Sequence, residues 1–91
     1  MFETRELNDQ GVALERSGNF GAAAEKYRAA LKIDPLLGAV RRNLGLALCR
    51  LGRWEEGVAE LRETLRLYPD DAETTRTLYI VLDQQAAAAG R

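Results

Sequence analysis

A chain of 91 residues is about one small domain, able to bury roughly 60–70% of the surface its unfolded form exposes, which leaves room for one thin core and excludes a multidomain enzyme. With 13 Lys and Arg against 14 Asp and Glu the net charge is −1, so no global attraction to nucleic acid or to an anionic membrane follows. The absence of His removes the commonest general base and metal ligand, and with it the usual triads and zinc sites; no enzyme activity, cofactor or metal is expected.

The opening "MFETRELNDQ" is too charged for a secretory signal, and Cys49 alone cannot close an internal disulfide. Both favour a reducing, cytoplasmic setting. No apolar stretch approaches the ~20 residues needed to span a bilayer, the longest candidates being "LGLALC" and "YIVL".

Taken in order, a first helix is expected over about 4–17, stopped at Gly18, where glycine accepts the left-handed backbone of a helix C-terminal cap. Asn19 can cap a second helix over about 20–33, which ends before Pro35. A third, about 37–51, places Val40, Leu44, Ala47, Leu48 and Leu51 at helical spacing and stops at Gly52. The fourth, about 54–67, carries Trp54, Val58, Leu61 and Leu65 on one face, with Glu55 and Glu56 at its positive N-terminal end, and closes before Pro69. Asp70 as N-cap with Glu73 three residues on then starts a fifth helix over about 71–88. The short turns after Gly18 and Gly52 make consecutive helices antiparallel.

"ALKIDP" (Ala30 to Pro35) and "TLRLYP" (Thr64 to Pro69) echo one another at a spacing of 34 residues. The same offset superposes Gly11 on Gly45, Ala13 on Ala47, Leu14 on Leu48, Arg16 on Arg50, Gly18 on Gly52, Arg28 on Arg62, Leu31 on Leu65 and Pro35 on Pro69. A period of this length marks stacked supersecondary units, none of which can bury its apolar face alone. Small residues at Gly11 and Ala23, and at Gly45 and Gly57, are expected to let paired helices approach closely.

These residues resemble the tetratricopeptide repeat, with its W-x2-L-G-x2-Y, A-x3-F and closing P. Unit one supplies Leu7, Gly11, Leu14, Ala23, Tyr27, Ala30 and Pro35; unit two supplies Leu44, Gly45, Leu48, Gly57, Leu61, Thr64 and Pro69. Gln10 and Arg41 depart from the pattern, at the usual Leu and Trp. The resemblance implies an all-α fold of antiparallel helix-turn-helix repeats stacked as a short right-handed solenoid. A single domain over 1–91 would hold repeat 1 at about 4–37, repeat 2 at about 38–71 and a capping helix at about 71–88. The closing Gly90 and Arg91 repeat Gly52 and Arg53 four residues late; an end at a cap helix is expected, a piece of a longer array being the alternative.

The resemblance further implies a scaffold whose first helices line a concave groove holding a peptide segment of a partner protein. The inward residues would be Arg5, Asn8, Asp9 and Val12; Arg42, Asn43, Leu46, Cys49 and Arg50; and Glu73, Arg76, Thr77 and Ile80. Arg42 and Arg76, one repeat apart, suit an acidic or carboxylate-bearing ligand, over an apolar floor of Leu46 and Ile80; the alternative is that the arginines are solvated or paired with Asp9, Glu15, Glu73 and Asp83. Trp54 and Tyr27 are expected in the core, and Cys49 as a small buried residue. The alternative function is a self-associating module, or a repeat fragment with no ligand of its own, so a monomer or weak self-association is expected.

In one subgroup of the resembled family, five residues clamp the C-terminal carboxylate of heat-shock chaperones. Their places here hold Asn8, Val12, Asn43, Glu73 and Thr77, of which Asn43 alone matches. Glu73 would set like charge against the incoming carboxylate. A tail peptide ending in Glu-Glu-Val-Asp is therefore expected not to bind; micromolar affinity by fluorescence polarisation, abolished by Asn43→Ala, would overturn that.

Overall fold

The computed structural model describes residues 2–90; Met1, and Arg91 of the closing Gly-Arg pair, lie outside the described residues. Among the described residues run five helices and no strand: α1 (Phe2–Arg16), α2 (Phe20–Ile33), α3 (Gly38–Arg50), α4 (Trp54–Leu67) and α5 (Ala72–Ala89). The all-α repeat expectation holds, with helix ends displaced by a residue or two. None of the helices is long and apolar enough to cross a membrane.

The turns from α1 to α2 and from α3 to α4 are built alike. Gly18 and Gly52 take φ of 83° and 80°, in the left-handed region that side chains disfavour. Around each, two backbone bonds retire the last helical carbonyls: Gly18 N donates to Glu15 O (2.9 Å) and Asn19 N to Leu14 O (2.8 Å), and Gly52 N to Cys49 O and Arg53 N to Leu48 O (both 2.9 Å). The following starts differ. Asn19 caps α2 by accepting from Ala22 N at 3.3 Å, whereas Arg53 offers no cap to α4 and instead grips Glu56 with two bonds of 2.9 and 3.0 Å.

Both prolines stand one residue beyond a helix C-cap, Asp34 for α2 and Tyr68 for α4. The expected cap of α5 is corrected by one residue. Asp71, not Asp70, is the N-cap, accepting from Thr74 N at 3.2 Å and from the Thr74 hydroxyl at 2.6 Å. Asp70 lies exposed in the turn after Pro69, too early to reach the free amides of a helix that begins at Ala72.

The Cα extents of 42 × 30 × 17 Å correspond in the thinnest direction to two layers of helices, whose axes pack about 8–10 Å apart. α1 packs on α2 and α3 on α4; α2 joins the two hairpins through α3, and α5 rests on α4 with a smaller contact to α3. One core cluster holds Ala23, Ala24, Tyr27, Ala30, Leu31, Val40, Leu44, Ala47 and Leu48. The other holds Cys49, Val58, Leu61 and Val81, with Leu46, Trp54, Leu78 and Leu82 partly buried against it.

The hairpin crossings depend on missing side chains. A Cβ built on Gly45 would stand 2.9 Å from the Gly57 carbonyl oxygen, and one on Gly57 2.6 Å from the Gly45 carbonyl oxygen. α3 and α4 therefore meet backbone to backbone. In the first hairpin the space over Gly11 is taken by the Tyr27 ring, whose Cδ1 lies 2.8 Å from where a Cβ on Gly11 would stand, rather than by Ala23. The Tyr27 hydroxyl donates to Glu15 Oε1 at 2.9 Å, and burial first, then that bond and the Glu15 charge, push its pKa well above the ordinary phenol value.

Gly45→Leu is expected to overpack the second hairpin and cost about 1–3 kcal/mol or more, because the obstructing atom is a carbonyl that cannot swing aside. Gly21→Ala, in α2 with nothing within 4 Å of the new methyl, should instead stabilise by about 0.5–1 kcal/mol. Chemical denaturation of both variants reads the contrast, and equal shifts would mean that the crossing is elsewhere.

Candidate functional site

The layer of α1, α3 and α5 carries the predicted inward residues, and the structure divides them into separate groups. A cleft of about 500 Å³ is lined by Leu46, Cys49 and Arg50 of α3, Trp54 of α4, and Thr77, Ile80 and Gln84 of α5. It thus gathers Leu46, Arg50, Thr77 and Ile80 from the expected groove. Arg5 and Asn8 belong to a smaller furrow of about 240 Å³ with Thr4, Leu37 and Val40. Asn43 sits between, donating from Nδ2 to Asn8 Oδ1 at 3.1 Å.

The others are placed differently. Val12 packs partly buried against the first core cluster. Asp9 and Arg76 are exposed, and neither lines the cleft. Arg42 is held by α5: its Nη1 lies 3.4 Å from Glu73 Oε2 and 3.8 Å from Asp71 Oδ2, and its side chain is only 19% exposed. Of the four acids weighed as partners for the arginines, Glu73 alone is so engaged among the described residues, Glu15 accepting from Tyr27 instead.

Asp71 joins cap and ion pair in one carboxylate. The Thr74 hydroxyl first, then the Thr74 amide and the Arg42 charge, hold it below the usual carboxylate range against the opposing effect of partial burial. Its carboxylate thereby fastens the start of α5 to α3. Arg41, in the slot of the consensus Trp, makes the corresponding link inside the second hairpin, with Nη1 to Glu60 Oε1 at 2.8 Å and Nη2 to the Pro35 carbonyl at 3.0 Å.

The floor of the cleft is apolar and its rim is basic and polar. Ile80 is 50% exposed and Leu46 half-buried, so apolar surface remains open to water between α3 and α5. Arg50 stands at the rim with its guanidinium 5.6 Å from the centre of the Phe20 ring, a contact that orients a cation without neutralising it. Among the described residues Arg50 has no acidic partner. Cys49 is buried, and burial pushes its thiol pKa up, so it supplies packing and not a thiolate.

Trp54 is the residue whose place differs most from expectation: it is half-buried, packing on the second core cluster while also lining the cleft. Gln84 was missed, although it follows Thr77 and Ile80 at the seven- and four-residue spacing of one helix face. Continuing that face one more turn would have found it.

A family model described as tetratricopeptide repeat matches residues 8–72, more than half of the chain. The chain belongs to the tetratricopeptide repeat family. Such repeats generally mediate protein–protein interaction and typically bind protein partners. The match runs from Asn8 in α1 to Ala72 at the first residue of α5, so nearly all of the helix that supplies Thr77, Ile80 and Gln84 lies beyond it.

Because the Asp71 pKa is lowered by folding, its contribution is present above the unfolded carboxylate value and is lost as pH falls through the lower folded value. Stability should therefore drop below about pH 4, and drop less in Asp71→Asn. At neutral pH Asp71→Ala should cost about 1 kcal/mol through the lost cap. Denaturant titrations across the acid range check both; an unchanged acid limb in Asp71→Asn would remove the carboxylate from this role.

Proposed function

We propose that the chain is an interaction scaffold that holds a peptide segment of a partner protein along the layer of α1, α3 and α5, anchored in the cleft between α3 and α5. The observation that carries this reading is the convergence of Leu46, Ile80 and Trp54 on one open cavity of about 500 Å³. Apolar surface left open in a cleft loses water favourably when a side chain enters it. A Leu, Ile, Phe or Met of the partner fits that chemistry.

The charge at the rim supports a preference for an acidic neighbour. Arg50 has no acidic partner, and its guanidinium can make two parallel bonds to one carboxylate. Arg42 is a poorer reader than its sequence position implies, since a ligand would have to compete with Asp71 and Glu73 for it. Its place is structural: it ties the start of α5 to α3.

Selection from a display library of short linear peptides tests the reading. Enriched sequences should share an apolar anchor next to Asp or Glu. Ile80→Asp should weaken them by about tenfold or more by burying an unpaired charge against the anchor, Arg50→Glu should weaken the acidic ones selectively, and Tyr79→Ala, outside the cleft, should leave them unchanged. Selected peptides that bind Ile80→Asp as well as the parent would place the site elsewhere.

A further inference from the structure

We propose that the solvent-facing side of α5 is a homotypic interface, on which a second copy of this chain packs antiparallel through Arg76, Tyr79 and Asp83. This goes beyond the peptide cleft, because Thr77, Ile80 and Gln84 turn to the cleft while Arg76, Tyr79, Asp83 and Ala86 recur at intervals of three and four along another side of the same helix. α5 buries Thr74 and Val81 completely against its neighbours, yet Tyr79 is 68% exposed.

Tyr79 decides what cannot cover this face. At a spacing of 34 residues it stands where Gly11 and Gly45 stand in the earlier repeats. There the following helix comes so near that a Cβ on Gly45 would lie 2.9 Å from a backbone carbonyl, and one on Gly11 2.8 Å from a ring carbon of Tyr27. A tyrosine in that place excludes the backbone-to-backbone crossing by which α4 docks on α3. The flanking positions nevertheless remain apolar: Leu78 and Leu82, in the places of the buried Leu44 and Leu48, are only partly covered. The face keeps its apolar flank but has lost the shape for the usual neighbour.

Charge then points to the occupant. Arg76 lies three residues before Tyr79 and Asp83 four residues after, both exposed, and among the described residues neither makes an ion pair. Seven residues of helix separate them by about 10 Å along the axis. A two-fold axis through the level of Tyr79 and Ile80 reverses the second helix and brings each Arg76 opposite the other copy's Asp83. Two reciprocal ion pairs then flank the stacked tyrosines, and the contact closes on itself as a dimer. A parallel copy would instead oppose Arg76 to Arg76 and Asp83 to Asp83.

Sedimentation equilibrium of the full chain over rising concentration, at low and high salt, tests the proposal alongside Arg76→Asp, Asp83→Arg and Tyr79→Lys, with circular dichroism to show that each variant is folded. The expected result is a reversible monomer–dimer equilibrium that weakens with salt, and a dissociation constant raised about tenfold or more by each substitution. The decisive arm mixes Arg76→Asp with Asp83→Arg. One then carries only acids along the stripe and the other only arginines, so they should associate with each other while neither associates with itself. A monomer at every concentration would overturn the proposal and leave the face to a different protein. So would a dimer indifferent to all three substitutions, or a mixture that fails to associate.

Discussion

The backbone-to-backbone contact of Gly45 with Gly57 is the constraint on which the rest of the structure depends. Each glycine lies against the other's carbonyl at a distance that admits no Cβ, so α3 and α4 have one close crossing instead of a range of looser ones. That crossing fixes where Cys49, Leu61 and Val58 meet, and the surface they make is the one on which α5 rests. The cleft follows from the same geometry. α3 is held tightly to α4 while α5 lies over both with a smaller contact to α3, and the wedge between α3 and α5 is where Leu46 and Ile80 stay open.

Electrostatics divides the arginines by what the next helix offers them. Arg42 and Arg76 hold the same place in successive repeats, but the next helix of Arg42's layer, α5, opens with Asp71 as its cap and Glu73 in its first turn, and these engage it. Arg76 has no such helix ahead of it among the described residues. Arg50 is different again: its neighbour is the face of Phe20, which leaves the guanidinium edge free to donate to an acidic group. Three cations of the predicted inward set thus have three environments, one satisfied within the fold, one at the rim of the apolar cleft and one on the outer side of α5.

The two hairpins solve the same packing problem with different residues. In the first, the gap over Gly11 is filled by the Tyr27 ring, whose hydroxyl reaches Glu15; in the second, the gap over Gly45 is filled by the α4 backbone and Leu61. Where Gly57 admits the closest approach, no ring could fit. Tyr79 in α5 is the third variant, a large exposed side chain at the crossing place with no helix upon it among the described residues. The run of small residues at this place thus stops at Tyr79, while Leu78 and Leu82 keep the flank of α5 apolar.

By itself the sequence determined the five helices of the described residues, the left-handed glycines at 18 and 52, the prolines that follow α2 and α4, and the small residues of the second crossing, Gly45 and Gly57. Each depends on local backbone chemistry or on a spacing that one chain displays. The start of α5 was legible to within a residue, since Asp70 and Asp71 are both good caps and only the helical register of Ala72 onward chooses between them. Tertiary structure alone decided which inward residues share a cavity. Val12 and Arg42 have the same periodicity as Leu46 and Arg50, but what each meets depends on the distance between α1, α3 and α5, and that distance is set by side chains far away along the chain. Trp54 belongs to both core and cleft for the same reason: its ring spans the edge of α4, and whether that edge is covered depends on how closely α5 comes to rest.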